Sequence, residues 1–277
     1  MRRLILISLS VFLISAVAAT GLIAFGVGNG YFQGPFTQTD FPRVPWLKLG
    51  EHQVPFREER EIPLEDIQIL ELDVEYGNLK VLPGSTGPAL LTVTGTVPSG
   101  DQPVISAESA GSRTLVQVGS GHPLRGSEEL EITLVLPVRS LELLDISLDM
   151  GNLDISYHDA ERTVAELSMG NLRLDGSFRD LSLKTHMGNT TVRGSVQSLV
   201  AECNMGNLTM HLDNFDQLEA SVDLGNIDLA LTETGGLRIY AAAAMGTVQV
   251  PATLSGSRQD SNGILETEAG DITVKEN

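Results

Sequence analysis

The residues best equipped for acid–base chemistry in this chain are four carboxylates placed at matching distances from a recurring glycine. Asp149 and Asp223 each stand two residues before it, and Glu166 and Glu202 four residues before it. Polysaccharide-active solenoids of the pectin-lyase kind work through such surface rows. Here the intervening copies put Ser168, His186 and Asn204 in the first row and Lys184 in the second, so no acid–base pair repeats. The histidines, His52, His122, His158, His186 and His211, are scattered, and His186 and His211 fall on different strands of neighbouring repeats, which argues against a shared metal. The single cysteine, Cys203, occupies an inward position, where a thiol acts as a small core residue, and it leaves no partner for an intrachain disulfide. The chain has no Gly-x-Ser-x-Gly elbow, phosphate-binding glycine loop, His-Glu-x-x-His helix or Gly-Gly-x-Gly-x-Asp calcium nonapeptide. These residues predict a protein without an enzymatic activity, a cofactor or a metal.

The glycine that sets these positions belongs to a repeated corner. It recurs as Gly151-Asn152, Gly170-Asn171, Gly188-Asn189, Gly206-Asn207 and Gly225-Asn226, then as Gly246-Thr247 and Gly270-Asp271, with an early copy at Gly77-Asn78. From Gly151 to Gly225 the beat is nearly constant, and it lengthens slightly at Gly246 and again at Gly270. Apolar residues alternate on both sides of each corner: Leu181, Leu183 and Thr185 before Gly188, for example, and Leu208 and Met210 after Gly206. A period of two on either side of a turn specifies strand, corner, strand. A repeat of roughly 18 residues is too short to enclose its own core, so the units must stack as a solenoid. The reading is therefore an all-β, β-solenoid or β-helix-like fold built from such coils, in which Leu172, Leu208 and Ile227 point inward while Arg173, Thr209 and Asp228 point out. Gly supplies positive φ at the corner and Asn tolerates it, and registered Asn side chains can form an amide ladder. Five of the seven methionines precede such a glycine, and a stack of thioethers filling the inside of the corner is the expected arrangement. The interval between Gly77 and Gly151 is close to four periods, with strands expected at 89–93, 114–118 and 130–136. They lack the corner and fit either degenerate coils or an antiparallel cap.

Residues 1–30 read as an N-terminal membrane anchor: Arg2 and Arg3 precede an apolar run from Leu4 to Phe25, about the ~20 residues that span a bilayer, with positive charge on the inner side. A cleaved signal peptide ending near Ala16-Val17-Ala18 is the other reading, and it would make the protein secreted or periplasmic. Residues 31–61 read as a linker whose Phe32, Phe36, Phe41 and Trp46 suit either the membrane interface or a cap on the first coil, and residues 62–277 as the solenoid. The formal charge is −18, and because all 36 acidic residues lie beyond the anchor, the rest of the chain stands at −20. Such a field repels nucleic acid and anionic lipid.

The strand 130–137 ending in Leu-Pro, the strand 141–147 and the Gly-Asn-Leu corners that follow resemble the putative-adhesin family of bacterial envelope proteins, over roughly residues 62–277. The resemblance implies a β-solenoid outside the cytoplasmic membrane, in the setting of surface attachment or envelope stress, and it supplies no catalytic residues. The expected function is that of an extracytoplasmic binding or structural module, with an envelope protein or a glycan as partner. A polymer-forming scaffold is the second reading, because coil ends carry unpaired strand edges; against it, Lys275-Glu276-Asn277 reads as a charged stop on the last coil.

Overall fold

A computed structural model describes residues 53–276, apart from 64–66, 86, 99–101, 120–128, 138–140 and 157–158. The expected anchor, most of the expected linker, and His52, His122 and His158 lie outside the described residues. Among the described residues no helix is long and apolar enough to cross a membrane.

The described chain is all-β. Its strands are β1 (Gln53–Ile62), β2 (Ile69–Tyr76), β3 (Asn78–Gly84), β4 (Ala89–Pro98), β5 (Val104–Ala110), β6 (Arg113–Gly119), β7 (Glu129–Pro137), β8 (Leu141–Met150), β9 (Leu153–Ile155), β10 (Ala160–Met169), β11 (Leu172–Met187), β12 (Thr190–Met205), β13 (Leu208–Leu224), β14 (Ile227–Leu231), β15 (Ile239–Met245), β16 (Val248–Gln249), β17 (Gly263–Ala269) and β18 (Ile272–Glu276). β1 begins at Gln53, inside the stretch read as linker, and pairs antiparallel with β4.

The coils stack in parallel and in register. Leu172 lies beside Thr190, Thr190 beside Leu208, Leu208 beside Ile227, and Ile227 beside Ile272. Before the corner, Leu183 lies beside Ala201 and Ala201 beside Ala220. Each coil thus contributes one strand to a sheet that enters the glycine corner (sheet I) and one to a sheet that leaves it (sheet II). β11, β12 and β13 bend from sheet II into sheet I at a second corner, where Gly176 and Gly194 are register partners with φ of +149° and +114°. The register of β13 against β12 shifts just after Gly194, and the extra residue that β13 carries there makes the interval from Gly206 to Gly225 longer than the one before it. The inner faces of the sheets close one apolar core in which Leu172, Leu208 and Ile227 are at most 1% exposed, while Arg173 and Asp228 are exposed and Thr209 is half-buried. Strand alternation accounts for the assignment. The buried hydroxyls of Thr185 and Thr190 bond to each other across the corner at 2.7 Å, which satisfies both inside the core.

Chain order and stacking order differ at both ends of the stack. The coil β2–β3 lies directly on β8–β9, with the Gly77 amide donating to the Met150 carbonyl, so β4–β7 do not form coils between them. Those strands lie on the other side of β2–β3 instead. β6 and β7 run parallel to β2 and β3 as one winding without a glycine corner, and β4 and β5 pair antiparallel on its outer edges. The degenerate coil and the antiparallel cap are both present. At the far end, β17–β18 sits between β13–β14 and β15–β16, since β13 pairs with β17 and β17 with β15. The coil that ends in Lys275 and Glu276 is therefore enclosed, and the outermost coil is β15–β16. The stop read from the terminal charges is misplaced for that reason. Position also explains Val248, an inward residue by alternation that is 42% exposed: it lies on the end coil, where no further winding covers it.

Candidate functional site

The corner edge concentrates three aligned rows: glycines, asparagines and methionines. The corner glycines adopt φ between +125° and +154°, and each approaches its neighbour so closely that a Cβ on Gly170, Gly188, Gly206 or Gly225 would lie 1.5–1.7 Å from the carbonyl oxygen of the glycine before it in the stack. The glycine amides complete the ladder across the corner, as in Gly188 N–H to the Met205 carbonyl at 2.8 Å. No residue other than glycine has positive φ among the described residues, so the asparagines do not share the left-handed conformation expected of them.

Their role is the amide ladder. Asn226 donates from Nδ2 to Asn207 Oδ1, and the series continues through Asn207 to Asn189, Asn189 to Asn171, Asn171 to Asn152 and Asn152 to Asn78, at 2.8–3.2 Å. Asn78 donates in turn to the Glu131 carboxylate at 2.7 Å. All the amide dipoles point the same way and end on an anion, an arrangement in which each bond polarises the next. At the other end the acceptor Oδ1 of Asn226 receives the Asp271 backbone amide. Asp271 itself accepts from the Thr247 amide and hydroxyl at 2.7 and 2.8 Å, which holds its carboxyl below the ordinary range. Thr247 and Asp271 thus extend the ladder with other chemistry.

Beside this ladder the methionines face solvent. Met150, Met169, Met187 and Met205 are 40–48% exposed, Leu224 53% and Met245 68%, so they do not fill the corner as expected. The reason is geometric. The residue three before the glycine, such as Thr185 or Cys203, already closes the core, and two steps on, the strand is leaving the core to enter the bend. In the first coil Tyr76 takes the equivalent place and is buried. In register the exposed row runs Met150, Met169, Met187, Met205, Leu224, with the smaller Ala269 between Leu224 and Met245. At a strand spacing of about 4.8 Å it forms an apolar ridge on the order of 29 Å long.

Sheet I, on one flank of the ridge, is acidic on its outer surface. Glu166 accepts from His186 Nε2 at 3.1 Å and lies 3.6 Å from Lys184 Nζ, and these contacts hold its carboxyl below the ordinary range, the His186 bond contributing most. Asn204 donates to the other ring nitrogen of His186 at 3.4 Å. Glu202 is two strands from Glu166 with Lys184 between them, and Asp149 is four strands from Asp223. Those separations are about 10 Å and about 19 Å, beyond the ~5–9.5 Å over which paired carboxylates cleave glycosides. His186 lies on sheet I and His211 on sheet II, so the structure does not bring them together, and no group of three or more metal-ligating side chains occurs among the described residues. Cys203 is 2% exposed with its thiol pushed up by burial and then by Asp223, the opposite of an activated nucleophile.

Asp145 lies beside Glu71 in register, and its carboxyl is raised by burial first and by the Glu71 charge second. An acid whose folded value is raised carries a penalty that is complete above that value and fades as the pH falls towards its unfolded value. Asp145→Asn should therefore raise stability near pH 7, by no more than about 1 kcal/mol for a half-buried group. The gain should vanish in acid. Parallel thermal melts of the two proteins across pH would show this; an equal gain at pH 3 and pH 7 would exclude the charge explanation.

No family model and no curated protein matches the chain. Among solved structures, it is similar to a putative cell adhesion protein from Clostridium sporogenes ATCC 15579, with 13% identity, 81% of this chain and 100% of that one covered, and a TM-score of 0.37. A putative adhesin from Bacteroides fragilis NCTC 9343 matches at 13% identity over 82% and 99% of the two chains, with a TM-score of 0.35. A putative lipid binding protein from Parabacteroides distasonis ATCC 8503 matches at 12% over 80% and 96%, with a TM-score of 0.28.

Proposed function

We propose that this chain is a non-enzymatic binding module of the bacterial cell envelope, exported, tethered by its N-terminal apolar segment, and engaging an envelope protein through the corner edge. The ridge of exposed methionines carries this reading. A run of apolar side chains in water is unfavourable unless a partner covers it, and continuous exposed apolar surface marks interaction sites. Methionine suits such a surface because its unbranched thioether repacks against varied shapes. The rigid stack beneath it, fixed by the glycine and asparagine rows, presents the thioethers at constant intervals, which fits an elongated partner better than a small molecule. An apolar ridge favours a protein over a glycan, since sugar recognition relies on flat aromatic faces and converging polar groups.

The test is the triple variant Met169→Gln, Met187→Gln, Met205→Gln in the full chain, cross-linked in intact cells before purification. The three positions are exposed, so the fold should survive and the melting temperature stay close to that of the parent. Cross-linked partner adducts should fall about tenfold or more, as when a cluster of interface anchors is removed, while His186→Ala and Asp223→Asn keep them. Undiminished adducts in the triple variant would reject the ridge as the binding surface. Loss of turnover on an envelope glycan in Asp223→Asn, at unchanged thermal stability, would reject the non-enzymatic reading.

A further inference from the structure

The end coil β15–β16 is unfinished in three independent respects. Its backbone is open: β15 pairs with β17 on one edge, and on the other only Ile239 is engaged, by Leu254 and Gly256, so the alternate residues 241 and 243 present amides and carbonyls with no partner among the described residues. Its core is open, with Val248 42% exposed and with Ala241, Ala243 and Val250 only partly covered, at positions where interior coils are sealed. Its strands are neutral, because residues 239–250 contain no charged side chain, and the Arg258 guanidinium over the Tyr240 ring is itself paired with Glu266.

At the opposite end of the stack the terminal strand of sheet II, β1, is protected, and its Arg60 also donates to the Ile105 carbonyl of β5, the terminal strand of sheet I. β1 presents Arg57, Glu58, Glu59, Arg60 and Glu61, with Arg57 paired to Glu59 and Arg60 to Glu58, and it contains Pro55. Charge and proline on a terminal strand prevent edge-to-edge pairing. The two ends differ in the features that govern self-association.

We infer that the open coil is a self-association edge, on which a second copy of this chain docks by antiparallel pairing of β15 with its own counterpart. Charge selects the occupant. A chain at −18 repels its own copy over most of its surface, so two copies can meet with least penalty where the surface is uncharged, whereas a basic partner would find nothing there to pair with. Symmetry supplies the geometry. A two-fold axis perpendicular to the sheets and midway between the two Ala242 residues places Ala242 opposite its own copy, Ala241 opposite Ala243 and Tyr240 opposite Ala244. Directly opposed residues of an antiparallel pair share a face, so inward residues remain inward and the two exposed core ends close on each other. The result is one stack of double length. It is closed by symmetry, and its charged ends do not propagate, which separates it from an open polymer.

The experiment uses full-length Ala242→Cys in intact cells with a mild oxidant. Cys203 is buried, so the parent chain serves as the blank. A residue beside the two-fold axis meets its own copy, and most of the protein should run at twice the chain mass on a non-reducing gel. Glu108→Cys, exposed on β5 at the other end, should give at least tenfold less. Adding Ala244→Lys to Ala242→Cys brings lysines from both copies to the junction and should cut the doubled band about tenfold without moving the thermal melt. A monomer band from cysteines at 240, 242 and 244 alike overturns the inference. So does an equally strong dimer from Glu108→Cys, or an adduct whose mass shows a different protein on β15.

Discussion

Gly188→Val and Gly206→Val should each leave the protein without a cooperative unfolding transition. The positions have φ of +143° and +144°, and a Cβ would fall 1.5 Å from the Gly170 oxygen and 1.7 Å from the Gly188 oxygen. The obstructing atoms are backbone, held in a ladder, and cannot move aside as a flexible side chain can. A β-branched residue at such φ costs on the order of 1–3 kcal/mol before any clash. Relief of the clash requires the two coils to separate, breaking the corner hydrogen bonds and the amide ladder on both sides. In a stack where each coil is stabilised by its neighbours, a break at the centre divides the core, and the total loss approaches the ~5–15 kcal/mol that holds an entire domain together. Gly236→Ala is the control. It has φ of +81° but open space around it, so its cost should be about 1 kcal/mol. Far-UV circular dichroism during heating distinguishes the cases, and a Gly188→Val protein that melts within a few degrees of the parent would refute the close-approach argument.

Leu208→Asp should cost at least about 4 kcal/mol, the sum of a lost core side chain and a buried charge, whereas Asp228→Asn should stay within about 0.5 kcal/mol, the range of surface substitutions. Leu208 is completely buried between Thr190 and Ile227. The substitution removes a packed side chain, worth about 2–5 kcal/mol, and puts a carboxylate where neighbouring side chains offer it no counter-charge. Asp228 sits one residue after Ile227, on the outer face, where loss of its charge changes no packing. Urea unfolding of both variants measures the difference directly. Equal midpoints would mean that the inward and outward faces are exchanged, because a one-residue slip inverts every side chain in a strand.

The coils were legible from the sequence because each imposes the same demands at the same intervals: an apolar residue at alternate positions, glycine where backbones nearly touch, and asparagine where a side chain must both donate and accept. The methionines were misread because apolarity signals burial only while strand alternation holds, and alternation lapses at the bend. Met187 and Cys203 stand two residues apart in their distances from a corner, yet one is 40% and the other 2% exposed. Stacking order was beyond the reach of local patterns. Gly246 and Gly270 have similar sequence surroundings, and which of them rests on Gly225 depends on the loops 232–238 and 250–262 that route the chain between slots. The same holds for β4–β7, of which β4, β6 and β7 were expected and β5 was not, and whose place outside β2–β3 was not foreseen. The carboxylate rows were placed correctly as rows, but the pairs that matched in position stand too many strands apart to act on one bond.

The displaced last winding has a consequence for a chain that emerges from its N-terminal end. β15 emerges before β17, yet in the finished molecule it has β17 as its sheet partner and does not touch β13 in register. As the chain emerges, the growing stack therefore reaches β14 and must wait, with the next slot empty, until residues 263–276 have followed. Direct addition of β15 to β13 in that interval would be a topological error needing reversal, and the longer loop 250–262 supplies the slack for the late segment to enter. Residues 263–276 thus act as a keystone: a premature stop codon ahead of them would remove the link that joins the outer winding to all the others.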